Sequence, residues 1–425
     1  MDYKLHKLPN GLRILTVPMP GLESATVTVW VKTGSRFEDK RINGISHFLE
    51  HMVFKGGKKR PTAKLISEAV DSIGGEFNAA TSKDWTNFYI KARAGNLETA
   101  MDVLSDMVLT PILDPTEIER EKGTIIQELA MYEDTPIMKI GDIFEELAFS
   151  GNSLAWDVGG EKETVRAIKR EDFMKYRGEH YHPNEMLVSV SGGVTEKEVI
   201  KLAEKYFNEL PASTGKSPKI SKFNLNQKLP KFELKTKKVE QAHFIIGFLS
   251  EGRGNPGRFA QSILSTILAG PMSSRLFIEV RERRGLAYAV KPSSDKFEEV
   301  GYAGVYAGVD LEKTEEAISV ILEQIYGLAS GKYPISEAEL KKTKEYIKGH
   351  IALSLEDTGA AGEFFAEQTL FLKEVLTPEE IYKRLDKVTI SEIITEAKKL
   401  FRKDHLNLAI IGPYTDGSKY KKLLQ

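Results

Sequence analysis

Two histidines one helical turn apart, with a glutamate between them, are the residues of this chain best suited to chemistry. They lie in the run Asn43-Gly-Ile-Ser-His47-Phe-Leu-Glu50-His51-Met-Val-Phe-Lys55. Read as a helix, the run puts His47 and His51 on one face, and Glu50 points roughly the same way. Ile45, Phe48, Leu49 and Met52 supply an apolar face, and Gly56 is a plausible C-terminal stop. Two neutral imidazoles so placed form half a coordination shell for a divalent metal, and zinc takes them readily. A carboxylate beside them can accept a proton from a metal-bound water. The competing reading is two surface histidines spaced by chance, and the scarcity of histidine, eight in 425 residues, weighs against it. His180 and His182 could form a second metal pair, but the turn at Pro183 favours a structural role. Lys55-Gly56-Gly57-Lys58 lacks the spacing of a phosphate loop.

The surrounding sequence supplies elements to hold that helix. Lys4 to Lys7 and Leu12 to Val17 flank Asn10-Gly11, a hairpin signal. Ala25 to Lys32 alternates apolar and polar residues, as a half-buried strand would. Thr62 to Ile73 and Leu97 to Leu109 read as helices, and Glu76 to Thr81 and Thr86 to Arg93 as a strand pair. Asp114, Pro115 and Glu117 open a further helix, along which Glu121 and Glu128 lie two turns apart on nearly one face. Helices near Ile137 to Phe149, Arg170 to Tyr181 and Glu196 to Phe207 follow, with a buried strand over Met186 to Gly192.

The second half repeats this plan. Gln241 to Phe248 and Gly301 to Val309 read as strands, and Phe259 to Ala269, Leu311 to Leu328 and Ile335 to Leu355 as helices. Glu356-Asp357-Thr358 echoes Glu133-Asp134-Thr135 at an offset of 223, which sets Lys344 opposite Glu121 and Ile351 opposite Glu128. The repeat keeps the scaffold and loses the acids, which predicts two copies of one α/β fold, only the first fit to bind metal. The linker-like stretch from Pro211 through Pro218 to about Pro230 divides them. The expected domains are 1–212 and 231–425, with 213–230 between.

Composition narrows the function. At 425 residues, two domains are expected. With 60 basic and 61 acidic side chains, nucleic-acid binding through counterion release is disfavoured. The absence of cysteine excludes disulfides, thiolate metal sites and thiol nucleophiles. No apolar run is long enough to cross a membrane, and residues 1–7 lack a signal-peptide core. A cytoplasmic location is the default expectation.

The order His-x-x-Glu-His inverts the commoner His-Glu-x-x-His and resembles the inverted zincins, in particular the pitrilysin, insulysin and mitochondrial processing peptidase family. In that family a glutamate about 76 residues beyond the second histidine completes the site, with another glutamate seven residues before it. Glu128 and Glu121 match both spacings. Gly74-Gly-Glu-Phe-Asn78-Ala79-Ala-Thr81, followed by Trp85-Thr-Asn-Phe-Tyr89, is similar to the family's substrate-holding edge strand and its neighbour. Tyr181-His-Pro183-Asn184-Glu185-Met186 is similar to its Tyr-x-Pro-x-Asn-Met segment, except that Glu185 stands where the family has Asn. Arg281 and Tyr288, seven apart, resemble the pair that faces the zinc from the far wall.

The resemblance implies a zinc metalloendopeptidase of α/β (α+β) class, built from two homologous domains, each a mixed, mostly antiparallel sheet flanked by helices. It implies one Zn2+ per chain on His47, His51 and Glu128, with Glu50 as general base and Glu121 orienting a histidine ligand. Arg281 and Tyr288 would bind the scissile carbonyl and backbone, and Asn78 and Ala79 would pair with the peptide as an added strand. The expected substrates are extended peptides or unfolded segments, admitted to a chamber enclosed by a homodimer with shared sites. Nucleic acid and membrane partners are not expected. The alternatives are a non-catalytic subunit, against which the intact His47, Glu50, His51 and Glu128 argue, and a zinc amidohydrolase, against which the Gly74 to Tyr89 strand pair argues.

Overall fold

The computed structural model describes residues 1–208, 210–211 and 219–425. Residues 209 and 212–218, the last six of which begin the expected linker, lie outside the described residues, and residues 219–230 carry neither helix nor strand. The chain forms two compact units, and each is discontinuous in sequence. The first comprises Met1–Ala130, Trp156–Ser221 and Leu353–Thr377, and the second Met131–Ala155, Lys222–Ala352 and Pro378–Gln425. The units are thus interleaved along the sequence.

The first unit is built on strands β1 (Lys4–Lys7), β2 (Arg13–Pro18), β3 (Ser24–Val31), β4 (Glu76–Thr81), β5 (Thr86–Arg93) and β6 (Met186–Gly192), in the order β1-β2-β6-β3-β5-β4. All pairings are antiparallel except β2 with β6. The expected hairpin at Asn10-Gly11 forms, with Lys7 opposite Arg13 and Gly11 at φ 99°. Helices α1 (Ile45–Val53), α2 (Ala63–Asp71), α3 (Leu97–Leu109) and α4 (Pro115–Asp134) all contribute to one apolar core. Thr62 and Asp114 accept hydrogen bonds from the first turns of α2 and α4, as capping side chains do.

One expectation is corrected here. β3 is not half-buried; all residues after Ser24 are buried on both faces. Helix Thr358–Phe371 covers the face of β2, β3 and β6 that the sequence assigns to solvent. Thr26 Oγ1 lies 2.8 Å from Thr358 Oγ1, and Trp30 Nε1 donates to Ser189 Oγ at 3.2 Å. The alternating threonines are thus polar residues satisfied inside the packing.

The second unit has β7 (Lys231–Thr236), β8 (Ala242–Glu251), β9 (Ala287–Lys296), β10 (Val300–Val309) and β11 (Leu406–Gly412), in the order β7-β11-β8-β10-β9. Again one pairing is parallel, β7 with β11. Helices Arg258–Ala269, Thr314–Ser330 and Ile390–Leu400 fill one face. The other is covered by α5 (Pro136–Ala148), from the first half of the chain. Its Phe144 seats directly over Gly247, where a Cβ would approach the ring to 2.3 Å. Each sheet therefore receives a helix encoded in the opposite half of the chain: α5 and Thr358–Phe371 occupy equivalent places in the repeat.

Candidate active site

Helix α1 is short, nine residues, and its start is over-determined. Gly44 precedes it at φ 97°, and a Cβ there would meet the Gly159 carbonyl oxygen at 2.6 Å. The buried Glu38 carboxylate accepts from the Gly44 and Ser46 amides at 2.7 and 2.8 Å, from Ser46 Oγ at 2.7 Å and from Asn43 Nδ2 at 3.0 Å. An acid six to eight residues upstream thus satisfies donors that a helix start leaves open. Burial raises the Glu38 carboxyl to about 7, against the pull of these donors. Ile45, Phe48, Leu49, Met52 and Val53 bury the opposite face of α1, leaving His47, Glu50 and His51 half-buried on the other.

His47 Nε2 and His51 Nε2 lie 3.2 Å apart. Glu128, from α4, brings Oε1 to 3.7 Å from His47 Nε2 and Oε2 to 3.5 Å from His51 Nε2. One donor atom from each of these three residues lies within 4.8 Å of the others. The two Glu128 separations are long for hydrogen bonds, and all three suit ligands around a common centre: a tetrahedral zinc with bonds of about 2.0–2.2 Å sets its ligand atoms roughly 3.3 Å apart. The donor set, two imidazoles and a carboxylate, is that of a hydrolytic zinc site with an open position. These residues fit the metal.

The charges agree. Burial, reinforced by His51, lowers His47 to about 4, so its ring is neutral. Burial would lower His51 too, but Glu121 and Glu128 outweigh it and raise that ring to about 9. The carboxylates thus create a demand for positive charge where the three donor atoms meet. Glu121 Oε1 lies 2.9 Å from His51 Nδ1, and its Oε2 is 2.6 Å from Lys55 Nζ. Burial alone would raise Glu121; His51 and Lys55 reverse that and hold its carboxyl below the usual range. With Nδ1–H donating to Glu121, His51 would present the Nε2 lone pair to a metal that displaces its second proton. Burial raises the Glu50 carboxyl, while Thr81 Oγ1, donating to Glu50 Oε2 at 2.5 Å, opposes the rise.

Asn78 and Ala79 lie on β4, which ends the first sheet and has no strand on its outer side among the described residues. Their register partners on β5 are Tyr89 and Phe88. Arg281 and Tyr288 belong to the second unit, where the Arg281 guanidinium lies 5.4 Å from the Tyr288 ring and 4.8 Å from that of Phe277. Tyr288 is 76% exposed at the start of β9. His180 is buried beside Thr33 and Tyr176, with Nδ1 3.2 Å from Thr33 Oγ1, a structural placement. Sequence reasoning passed over Lys55, Glu38 and Thr81. Lys55 could have been found at i+4 from His51, and Thr81 at the parity of Phe77 and Ala79 on β4; nothing local marks Glu38.

Comparison with known proteins places this architecture. The profile of the insulinase family (peptidase family M16) matches residues 13–159, and that of the peptidase M16 inactive domain matches 167–347. An uncharacterized zinc protease of Streptomyces coelicolor is 33% identical over 414 residues, covering 96% of this chain and 89% of that protein. Another, from Bacillus subtilis, is 34% identical over 411 residues, covering 96% and 98%. The chain belongs to the insulinase, or M16, family of pitrilysin-like metallopeptidases with two domains. The fold is that of the crystal structure of a protease from Helicobacter pylori, with a TM-score of 0.91 at 23% identity over 96% of this chain and 99% of that one. A peptidase M16 inactive domain from Pseudomonas fluorescens gives 0.87 at 17% identity, covering 98% and 99%. No helix among the described residues is long and apolar enough to cross a membrane.

Proposed function

We propose that this chain is a zinc-dependent endopeptidase that hydrolyses peptide bonds in extended or unfolded polypeptide. The observation that carries the reading is the convergence of His47, His51 and Glu128 beside Glu50, a half-buried carboxylate hydrogen-bonded to β4, the outer strand of the first sheet. A zinc ion held by those three residues, one per chain, supplies Lewis-acid polarisation of the scissile carbonyl and a nucleophilic water at neutral pH. Glu50 takes the proton that the attacking water releases and delivers it to the amine nitrogen as the C–N bond breaks. Glu121 fixes the His51 tautomer. The outer edge of β4, through Asn78 and Ala79, takes the substrate as an added strand, so main-chain hydrogen bonds provide affinity with little sequence preference. Arg281 and Tyr288 bind the substrate carbonyl and backbone, across the partner subunit of a homodimer that encloses the chamber. The names of the relatives as zinc proteases support the reading.

The test is metal analysis with product identification from a defined peptide library. The expected result is about one zinc per chain and cleavage of flexible peptides, abolished by Glu50→Gln. A protein that takes up no zinc after reconstitution, or cleaves nothing in the library, overturns the proposal.

A further inference from the structure

Strand β4 alternates in exposure: Glu76, Asn78 and Ala80 face solvent, while Phe77, Ala79 and Thr81 are half-buried. Phe77 and Ala79 pack against the core that holds α1, and the Phe77 ring lies 5.5 Å from that of Phe54. Thr81 is the last residue on this inner row, and its row faces helix α1 with a hydroxyl instead of a hydrocarbon. That hydroxyl donates to Glu50 Oε2 at 2.5 Å.

The end of β4 that bears Thr81 is anchored. The turn after it is held by Ser35 N donating to the Ser82 carbonyl and Arg36 N to the Lys83 carbonyl, both at 3.1 Å. Gly34 lies so close beneath that a Cβ would meet the Ser82 oxygen at 2.2 Å. Arg36 and Asp84 form a buried ion pair at 2.9 Å, with side chains 0% and 3% exposed. Opposite Thr81 stands Thr86, whose Oγ1 donates to the Thr33 carbonyl at 3.0 Å. Thr81 Oγ1 is therefore a fixed donor.

We propose that Thr81 is the positioning residue for Glu50. A glutamate has three side-chain torsions, and burial alone does not choose among its rotamers. The Thr81 hydroxyl occupies Oε2, selects one of them, and leaves Oε1 as the proton acceptor. It also joins the base to the strand along which the peptide is laid, so the distance from docked backbone to acceptor oxygen is set by one short strand. Misplacement of a catalytic group by about 1 Å costs up to about 100-fold in rate. Thr81 acts through Glu50, the group its hydroxyl meets. This inference rests on the proposed role of Glu50 as proton carrier.

The test compares Thr81→Val, which keeps shape and loses the donor, with Thr81→Ser, which keeps the donor and loses the methyl. Thr81→Val is expected to lower kcat by roughly 10- to 100-fold, with KM within about twofold and zinc content and melting temperature unchanged. Thr81→Ser is expected to restore most of kcat. Crystals of metal-free Thr81→Val should show Glu50 in more than one rotamer. The proposal is overturned if Thr81→Val keeps full kcat, if the loss falls on KM, zinc content or melting temperature, if Thr81→Ser is equally impaired, or if Glu50 keeps its single rotamer. If Glu50→Gln abolishes cleavage and Thr81→Val does not, only this inference fails. If the unmutated protein cleaves nothing, the functional reading fails, and the rotamer measurement still decides the role of Thr81.

Discussion

The two units share the order of five strands, to which β1 adds a sixth in the first, and also share a single parallel pairing at equivalent places and a covering helix from the other half of the chain. They differ in what two helices carry. In the first unit α1 follows β3 and bears His47, Glu50 and His51; in the second, Arg258–Ala269 follows β8 and bears none of them. In the first, α4 bears Glu121 and Glu128. At the matching positions of Glu337–Ser354 stand Lys344 and Ile351, and Lys344 Nζ donates to the Asp386 and Val388 carbonyls at 2.9 and 2.6 Å. The same position orients a histidine in one unit and ties its helix to the C-terminal end of helix Pro378–Lys387 in the other. The scaffold thus stands without metal, and the chemistry is a graft of a few side chains.

Removing the graft should leave the scaffold. The largest effect is expected from Glu50→Gln, which lowers peptide cleavage by at least ~100-fold while zinc content holds. His51→Ala should lose zinc and activity together, yet the metal-free protein should melt within a few degrees of the unmutated one. A metal-free His51→Ala protein that is unfolded would show that the centre staples the fold after all. Glu121→Gln comes next: with the acceptor for His51 Nδ1 weakened, zinc affinity should fall by roughly 10- to 100-fold, read by competition with a chelator. Unchanged affinity would make Glu121 a partner of Lys55 alone.

The units also make a complementation experiment possible. Glu50→Gln and Tyr288→Phe proteins, each inactive, should recover roughly a quarter of unmutated activity when exchanged together. In the proposed homodimer with shared sites, half of randomly mixed dimers would be heterodimers, each with one intact site of two. Verified exchange with no recovery would confine Arg281 and Tyr288 to sites within their own chain. The converse transplant should do nothing measurable: Lys344→Glu with Ile351→Glu is expected to bind no additional zinc, because Arg258–Ala269 offers no histidines to meet the acids. A second zinc equivalent would overturn the contrast.

A smaller effect concerns stability. Glu38 titrates near 7 in the folded chain and near 4.5 when unfolded, so the unfolded state loses its proton first as pH rises. Its stabilising contribution is full below about 4.5 and declines up to about 7, by about 1.4 kcal/mol per pH unit at most. The stability of the unmutated protein relative to Glu38→Gln should therefore fall as pH rises through that window, measured by denaturant unfolding of the metal-free forms. A difference independent of pH would mean that the four donors keep Glu38 ionised throughout.

Much of this was legible because the sequence patterns are local. The strand pair at residues 76–93, helix α3 and strand β6 form where periodicity and turn residues place them. The histidines were legible because helical spacing is rigid. Illegible features depend on distant partners. Nothing in β3 announces that Thr358–Phe371 will cover its second face. β9 escapes periodicity because it is polar and holds Pro292, which an outer strand tolerates. Thr81 is one threonine among many until the fold sets it beside Glu50.

The exchange of covering helices bears on how the protein is made. A ribosome delivers the first sheet within its first 192 residues, but the helix that roofs it leaves more than 160 residues later. Until then β2, β3 and β6 expose a face with buried-type composition to whatever is near. The nascent first half is thus expected to complete its packing only when the second half is largely out. The same reciprocity makes the halves poor candidates for separate genes or for domain shuffling: cut at the linker, each piece lacks its own roof and carries its neighbour's.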